Sequence, residues 1–303
     1  MEIERLEETD APVVSREQPS DRDVAVRPEP QDQQAYRVEY RATVEAEYQA
    51  STRGSWDASA LELRGAWEAH EAKWPASRDS VRPDRPDVSG AWRGETGRHL
   101  DAEANAEVDR GCARIREVGE NVITPAMRAI EAEDPDRHLV ALEYRLKGTE
   151  RVKEKVAAEL EARPGLSAAQ ALASVPDAIR FTLTYIDEHY VAGVTADLER
   201  LTARGFELAK EPKISWDSDQ YKGINTQWRE PETGQRFEVQ FHTRASFEAK
   251  QLSHAAYERI RNPQTPAAEL DELEDFQRRV CAKVPLPPGR TEITYAPRKE
   301  RDA

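Results

Sequence analysis

The stretch from 221 to 243 constrains the fold of this chain more than any other. Tyr221-Lys222-Gly223-Ile224-Asn225 leads through Trp228 to the turn Pro231-Glu232-Thr233-Gly234, and Phe237-Glu238-Val239-Gln240-Phe241-His242-Thr243 follows. Two alternating runs around a Pro/Gly turn are a β-hairpin signal. Successive side chains leave a strand on opposite faces. Phe237, Val239 and Phe241 therefore point one way, and Glu238, Gln240 and His242 the other. In the first run Ile224, Thr226 and Trp228 share a face, with Tyr221, Gly223 and Asn225 opposite. The apolar face is expected to pack on a core. The other face carries an acid, an amide, an imidazole and a phenol, which is more chemistry than solvation requires.

The 303 residues are 38% hydrophobic and 34% charged, with a mean hydropathy of −0.83. So polar a chain does not fill a globule of that length, and a sizeable unfolded portion is expected. It falls in 1–95, which is acidic and rich in Pro, Arg, Gln and Ser. Arg82-Pro83-Asp84-Arg85-Pro86-Asp87 cannot hold a helix, because each proline lacks a donor and restricts its predecessor. Residues 37–73 can form a charged helix that Trp56, Trp67 and Trp74 dock weakly on a partner. The plainer expectation for 1–95 is a largely disordered or loosely helical region, mostly solvated. The net charge of −14 argues against a broad basic DNA-binding face. It leaves room for a local basic pocket. Two cysteines far apart, Cys112 and Cys281, suggest neither a disulfide framework nor a zinc site and fit a reducing cytoplasm. The start Met1-Glu2-Ile3-Glu4-Arg5 lacks the basic and apolar regions of a signal peptide. No apolar run reaches bilayer-spanning length. A soluble, cytoplasmic chain without membrane contact is the expectation.

Residues 96–285 read as the folded domain and 286–303 as an extended tail. The helical pattern from 101 to 133 is interrupted by Asp134-Pro135. The apolar run 138–144 is strand or helix. Thr149 is the expected N-cap of a helix from 150 to 162, stopped by Arg163-Pro164-Gly165. Ser167 caps a short helix to 173. A strand follows, with Ile179, Phe181, Leu183 and Tyr185 on one face and Arg180, Thr182 and Thr184 on the other. Helices are expected over 190–204, ended by Gly205, over 245–261, and after Thr265-Pro266. Strands mixed with helices around an antiparallel hairpin predict an α+β fold, a mixed β-sheet flanked by helices on one face.

Four constellations can carry chemistry. Arg145-x-Lys147-x-x-x-Arg151-x-x-x-Lys155 surrounds a predicted helix N-terminus beside Gly148, where free N–H groups and the dipole favour anions. Together these cations can grip a polyphosphate. The alternative is a solvated amphipathic helix balanced by Glu150 and Glu154. Asp177 and Glu238, on neighbouring strands, can hold Mg²⁺ between them, or one can deprotonate a hydroxyl. Against this, Asp177 can be a plain turn residue after Pro176. Tyr221 beside Asn225 can stack on a base or serve as an ordinary core or surface tyrosine. Lys250, His254, Tyr257 and Arg261 share one helix stripe that either closes the pocket or is solvated.

The order of these motifs over 135–262 resembles the synthetase domain of the RelA/SpoT family, the pyrophosphokinases that make (p)ppGpp. The family's Arg-x-Lys loop matches Arg145 and Lys147, its following Lys matches Lys155, and Arg151 stands in the place of its Ser. Asp177-Ala-Ile-Arg180 matches the family's acidic strand, Tyr221-Lys222-Gly-Ile-Asn225 its Tyr-x-x-Ile-His, and Glu238-Val-Gln240-Phe-His242-Thr243 its Glu-Ile-Gln-Ile-Arg-Thr. His254-Ala-Ala-Tyr257-Glu258 matches its last helix. Asn225, His242 and Glu258 replace His, Arg and Lys, and the interval from Asp177 to Arg180 is two residues short. The resemblance implies a RelA/SpoT nucleotidyltransferase-like fold that transfers pyrophosphate from ATP to a 3′-hydroxyl. It implies ATP on Arg145, Lys147, Arg151, Lys155 and Arg180, with Asp177 and Glu238 as catalytic acids and Mg²⁺ ligands. The acceptor would lie against Tyr221, Lys222, Asn225, Gln240, His242, His254 and Tyr257. Within the family the acceptor is a guanosine nucleotide, as in the stringent-response alarmone synthetases, or the tRNA 3′ end, as in toxins. A toxin-type member implies an antitoxin or regulatory protein as partner. A catalytically inactive nucleotide- or protein-binding module is the reading from another class.

Overall fold

The computed structural model describes residues 53–75, 90–262 and 264–293. The disorder expected over 1–52 and 76–89, and the tail beyond 293, lie outside the described residues. In chain order the elements are α1 (Arg53–Lys73), β1 (Trp92–Arg93), β2 (His99–Leu100), α2 (Ala102–Val118), α3 (Thr124–Ala132) and β3 (Arg137–Val140). There follow α4 (Thr149–Ala162), α5 (Ala168–Ala173), β4 (Arg180–Tyr185), α6 (Tyr190–Ala203) and β5 (Glu207–Ile214). The hairpin strands β6 (Ile224–Arg229) and β7 (Arg236–Thr243) lead into α7 (Arg244–Ile260) and α8 (Ala267–Lys283).

The main sheet has five strands in the order β3-β4-β7-β6-β5. β4 and β7 run parallel, and the other neighbouring pairs are antiparallel. The hairpin forms as the alternation predicts. Ile224, Trp228, Phe237, Val239 and Phe241 are fully buried together with Phe181 and Leu183. β5 carries no such alternation. It is an edge strand with two register shifts and contains Pro212, which an edge tolerates because it has no ladder bond to lose on its open side.

Helices lie on both faces, not one. On the apolar face Tyr190 of α6 sits edge-on to Tyr185 at 5.7 Å, and its hydroxyl donates to the Phe241 carbonyl at 2.9 Å. The polar face is covered by α7. Thr243 is at once the last residue of β7 and the N-cap of α7, accepting from the Ser246 N–H, so the helix leaves the sheet with no loop. Its Phe247 then lies edge-on to His242 at 6.1 Å. Gln240 and His242 are consequently buried, although alternation alone placed them on the open side.

α1 is helical, but it is not a solvated strut. Trp56, Ala60 and Leu63 form a stripe at helical spacing that is buried in the main core, with Trp56 only 2% exposed. The Trp56 indole donates to Glu248 of α7 at 2.8 Å, Trp67 packs on Phe276 of α8 at 5.2 Å, and the Trp74 indole donates to Glu272. Burying an indole of this kind contributes about 1.5–3 kcal/mol. Two caps differ in outcome. Ser167 forms the expected cap, completed as a box by Gln170. Thr149 is instead the first helical residue of α4, with Gly148 at the cap position and no side-chain cap.

Candidate functional site

Backbone pairing brings the candidate residues together at the N-terminal ends of the parallel strands β4 and β7. Residues 145–147 lie alongside the approach to β4. The Arg180 N–H donates to the Arg145 carbonyl at 2.8 Å, and the Lys147 N–H to the Ala178 carbonyl at 2.9 Å. On the other side the Glu238 N–H donates to the Ile179 carbonyl at 2.9 Å. Arg180 and Glu238 are register partners, so their side chains leave the same face. Asp177 sits just ahead of the strand in a 3₁₀ turn, Pro176–Ala178.

Two lysines converge on one oxygen of Asp177. Lys155 Nζ donates to Oδ2 at 2.6 Å, and Lys147 Nζ lies 3.1 Å from the same atom. The other oxygen, Oδ1, is buried and has no hydrogen-bond partner among the described residues. Burial alone would push this carboxyl up, but the Lys155 hydrogen bond and the Lys147 charge outweigh it and hold it below its usual range. Burial also pushes the Lys147 amine down, against the opposing charge of Asp177.

Glu238 is held differently. The Gln240 amide donates to its Oε1 at 2.6 Å, and Lys250 Nζ donates to Gln240 Oε1 at 2.5 Å. Burial raises the Glu238 carboxyl, Arg180 opposes this, and Asp177 adds to it. Burial and Arg180 bring the Lys250 amine down to about 8. Lys147, Lys155, Arg180 and Lys250 thus face Asp177 and Glu238, four cationic side chains against two carboxylates. That surplus of positive charge suits a polyphosphate.

Glu150 and Glu154 of α4 are engaged away from Lys147 and Lys155. The small β1–β2 sheet lies on α4 and engages its acids: the Trp92 indole donates to Glu150 at 2.7 Å, Thr96 Oγ1 donates to Glu154 at 2.7 Å, and Arg98 pairs with Glu161 at 3.0 Å. A Cβ at Gly94 would lie 2.0 Å from a Glu154 carboxylate oxygen, so the Glu154 side chain would have to shift. Lys147 and Lys155 are left for the site. Nothing in the spacing of 92–100 announced this hairpin.

The acceptor-side candidates form a second chain of contacts. The Tyr221 hydroxyl donates to Asn225 Oδ1 at 2.7 Å and lies 2.8 Å from His242 Nε2, and His242 Nδ1 is 2.9 Å from Ser246 Oγ. Burial, then the charges of Lys250 and Arg180, keep His242 well below its ordinary value, so the ring is neutral. Burial and Glu238 raise the Tyr221 phenol. Gly223, at φ +144°, is the residue that lets the chain pass the His242 ring, because a Cβ there would lie 2.9 Å from it.

The side chains of other candidates are engaged with other partners or exposed. Arg145 is held by Glu120, by Thr124 Oγ1 at 3.2 Å and by the Leu142 carbonyl at 2.8 Å. Arg151 is 70% exposed and 3.7 Å from Glu258. Lys222 Nζ donates to the Trp216 carbonyl at 2.8 Å. His254 is exposed, and Tyr257 is 42% exposed with its hydroxyl accepting from Arg261. The Ser246–His242 and Lys250–Gln240 contacts were not anticipated. The one sequence signal for them is a serine and a lysine four apart directly after an alternating strand.

Among the described residues no group of three or more His, Cys, Asp or Glu gathers as a metal cluster. Asp177 with Glu238 is a two-carboxylate set, and the partnerless Asp177 Oδ1 is a free oxygen ligand. That donor set fits Mg²⁺, which takes one or two carboxylates and leaves the rest to phosphate and water. Among the described residues no helix is long and apolar enough to cross a membrane.

No protein-family model and no curated relative matches the sequence. Among solved structures the chain is similar to the small alarmone synthetase 1 from Bacillus subtilis, at 15% identity over 59% of this chain and 90% of that one, with a TM-score of 0.42. The same synthetase bound to its product pppGpp matches at 16% identity over 62% and 96%, with a TM-score of 0.42. A GTP pyrophosphokinase family protein from Streptococcus pneumoniae matches at 16% identity over 60% and 89%, with a TM-score of 0.40.

Proposed function

We propose that this chain is a nucleotide pyrophosphokinase that moves the β,γ-pyrophosphate of ATP onto the 3′-hydroxyl of a nucleotide acceptor and releases AMP. The observation that carries this reading is the Lys147–Asp177–Lys155 cluster set against Glu238 across the β4–β7 pairing, with its surplus of cations. Before substrate arrives the two lysines rest on Asp177. A triphosphate offers them stronger partners, and Arg180 adds a bidentate donor from the adjacent strand. Glu238 accepts the proton of the acceptor hydroxyl as its oxygen bonds to the β-phosphorus and the bond to the α-phosphate oxygen breaks. A carboxyl raised by burial is a better base than a solvated one. Asp177 and Glu238 would hold Mg²⁺, which supplies charge neutralisation on the phosphates when bound. The rest is positioning in a half-buried, cationic site.

The acceptor lies against Tyr221. A guanosine nucleotide is the first reading. The tRNA 3′ end is the second, favoured by the neutral His242 and Asn225, which put no charge on that wall. The test is to incubate the protein with ATP and Mg²⁺ and, separately, GDP, GTP, further ATP or total tRNA, then measure AMP and the modified acceptor. AMP appearing with one acceptor is the expected result. ATP binding without AMP from any of them overturns the reading and leaves a binding module.

A further inference from the structure

Helix α7 reaches the polar face of the sheet with two side chains one turn apart, Ser246 and Lys250, and each grips a buried sheet residue. Ser246 meets His242, which meets Tyr221. Lys250 meets Gln240, which meets Glu238. The second chain has a direction imposed on it. An ammonium group only donates, so the end of the Gln240 amide facing Lys250 must be the carbonyl oxygen. The NH₂ end is then turned towards Glu238 and donates to its Oε1. Gln240 is only 5% exposed, so water is poorly placed to substitute for either partner. Without Lys250 the amide oxygen loses its charged donor, and only the bond to Glu238 still holds the amide in place.

We propose that Lys250 is a positioning residue for Glu238, acting through the Gln240 amide. It pins one carboxylate oxygen and leaves the other directed at the acceptor. Phe247 on the same helix steadies the lysine, whose Nζ lies 5.6 Å from the ring centroid. The catalytic consequence rests on the pyrophosphokinase reading, whereas the orientation of the amide does not.

The experiment compares wild type, Lys250→Met and Lys250→Arg in two measurements. The first is the ¹⁵N resonance and solvent exchange of the Gln240 side-chain amide. It is expected to be protected in wild type and in Lys250→Arg, and to shift and exchange faster in Lys250→Met. A Gln240 amide identical in all three overturns the proposal, whether or not the protein turns over ATP. The second is steady-state AMP release with the responding acceptor. In Lys250→Met kcat is expected to fall about 10- to 100-fold with a smaller rise in KM for MgATP from the lost positive charge, and Lys250→Arg is expected to recover most of the kcat. Wild-type kcat in Lys250→Met overturns the positioning role while leaving the pyrophosphokinase reading intact. A wild-type protein that releases no AMP overturns that reading, and the amide measurement still decides the orientation.

Discussion

Strand β4 carries an ionic cluster at each end, and the two are built in opposite ways. At its C-terminal end Arg137 and Asp197 are 1% and 0% exposed. Tyr185 donates to Asp197 at 2.6 Å, Arg200 donates to it at 3.1 Å, and Asp134 lies 3.2 Å from Arg137. Both carboxylates there answer to cations, and the Arg137–Asp197 pair at the centre is shut off from water. At the N-terminal end two lysines share one oxygen of Asp177 while the other oxygen has no partner, and Arg180 and Lys250 add positive charge nearby. The C-terminal cluster balances its charges, two arginines against two aspartates, although the Arg137 nitrogens lack well-formed hydrogen bonds among the described residues. The N-terminal cluster instead keeps an excess of cations, and the fold tolerates this because that end remains partly solvated, with Lys155 41% exposed.

The contrast makes the two ends respond differently to the loss of one member. Arg137→Met leaves Asp197 as a buried charge with weakened compensation, a loss of about 3–5 kcal/mol. Thermal denaturation should show Tm lower by roughly 10 °C, with MgATP binding by the folded protein unaltered. Lys155→Met should do the reverse. Lys147 still answers Asp177, so Tm should hold, while loss of a charge-assisted contact to phosphate weakens MgATP binding about 10- to 100-fold by calorimetry. Equal destabilisation by the two substitutions would erase the distinction between the ends.

The smallest effect belongs to Asp187, just past the end of β4. It is buried, its Oδ1 has no hydrogen-bond partner among the described residues, and burial with the Glu188 charge raises its pKa to about 6. Because the folded state holds that proton more tightly than the unfolded one, stability is fully present below the ordinary value near 3.8 and is lost as pH rises through about 6. Asp187→Asn is therefore expected to raise Tm by about 2–4 °C at pH 7 and to change it little at pH 4. An Asn variant less stable than wild type at pH 7 would mean that the carboxylate has a partner at that end after all.

Much of this was legible in the chain, and the part that was not has a physical reason. Alternation at 224–228 and 237–241 gave the hairpin and its buried face, because the period of a strand is written into its side chains. The α+β class with a mixed sheet followed from strands interspersed with helices. Asp177 and Lys155 were candidates by type and spacing, yet that Lys147 and Lys155 meet on one oxygen depends on how far α4 stands from β4, which spacing does not encode. β5 was silent because an edge strand with register shifts has no clean period. Trp56 read as weakly docked or solvated because its neighbours are charged. Only α7, nearly two hundred residues later, supplies the partner of its indole. Gln240 and His242 read as open for the same reason: the helix that covers them is placed by a cap at Thr243, not by the strand.

The most direct measurement is AMP release by wild type and Glu238→Gln under saturating MgATP and the responding acceptor. The amide keeps the size of the side chain but not its basicity. Turnover is expected to fall about 10²- to 10⁴-fold with Tm preserved and MgATP binding weakened by far less than turnover. Undiminished turnover in Glu238→Gln would contradict the assignment of Glu238 as the base, and with it the chemistry proposed for this site.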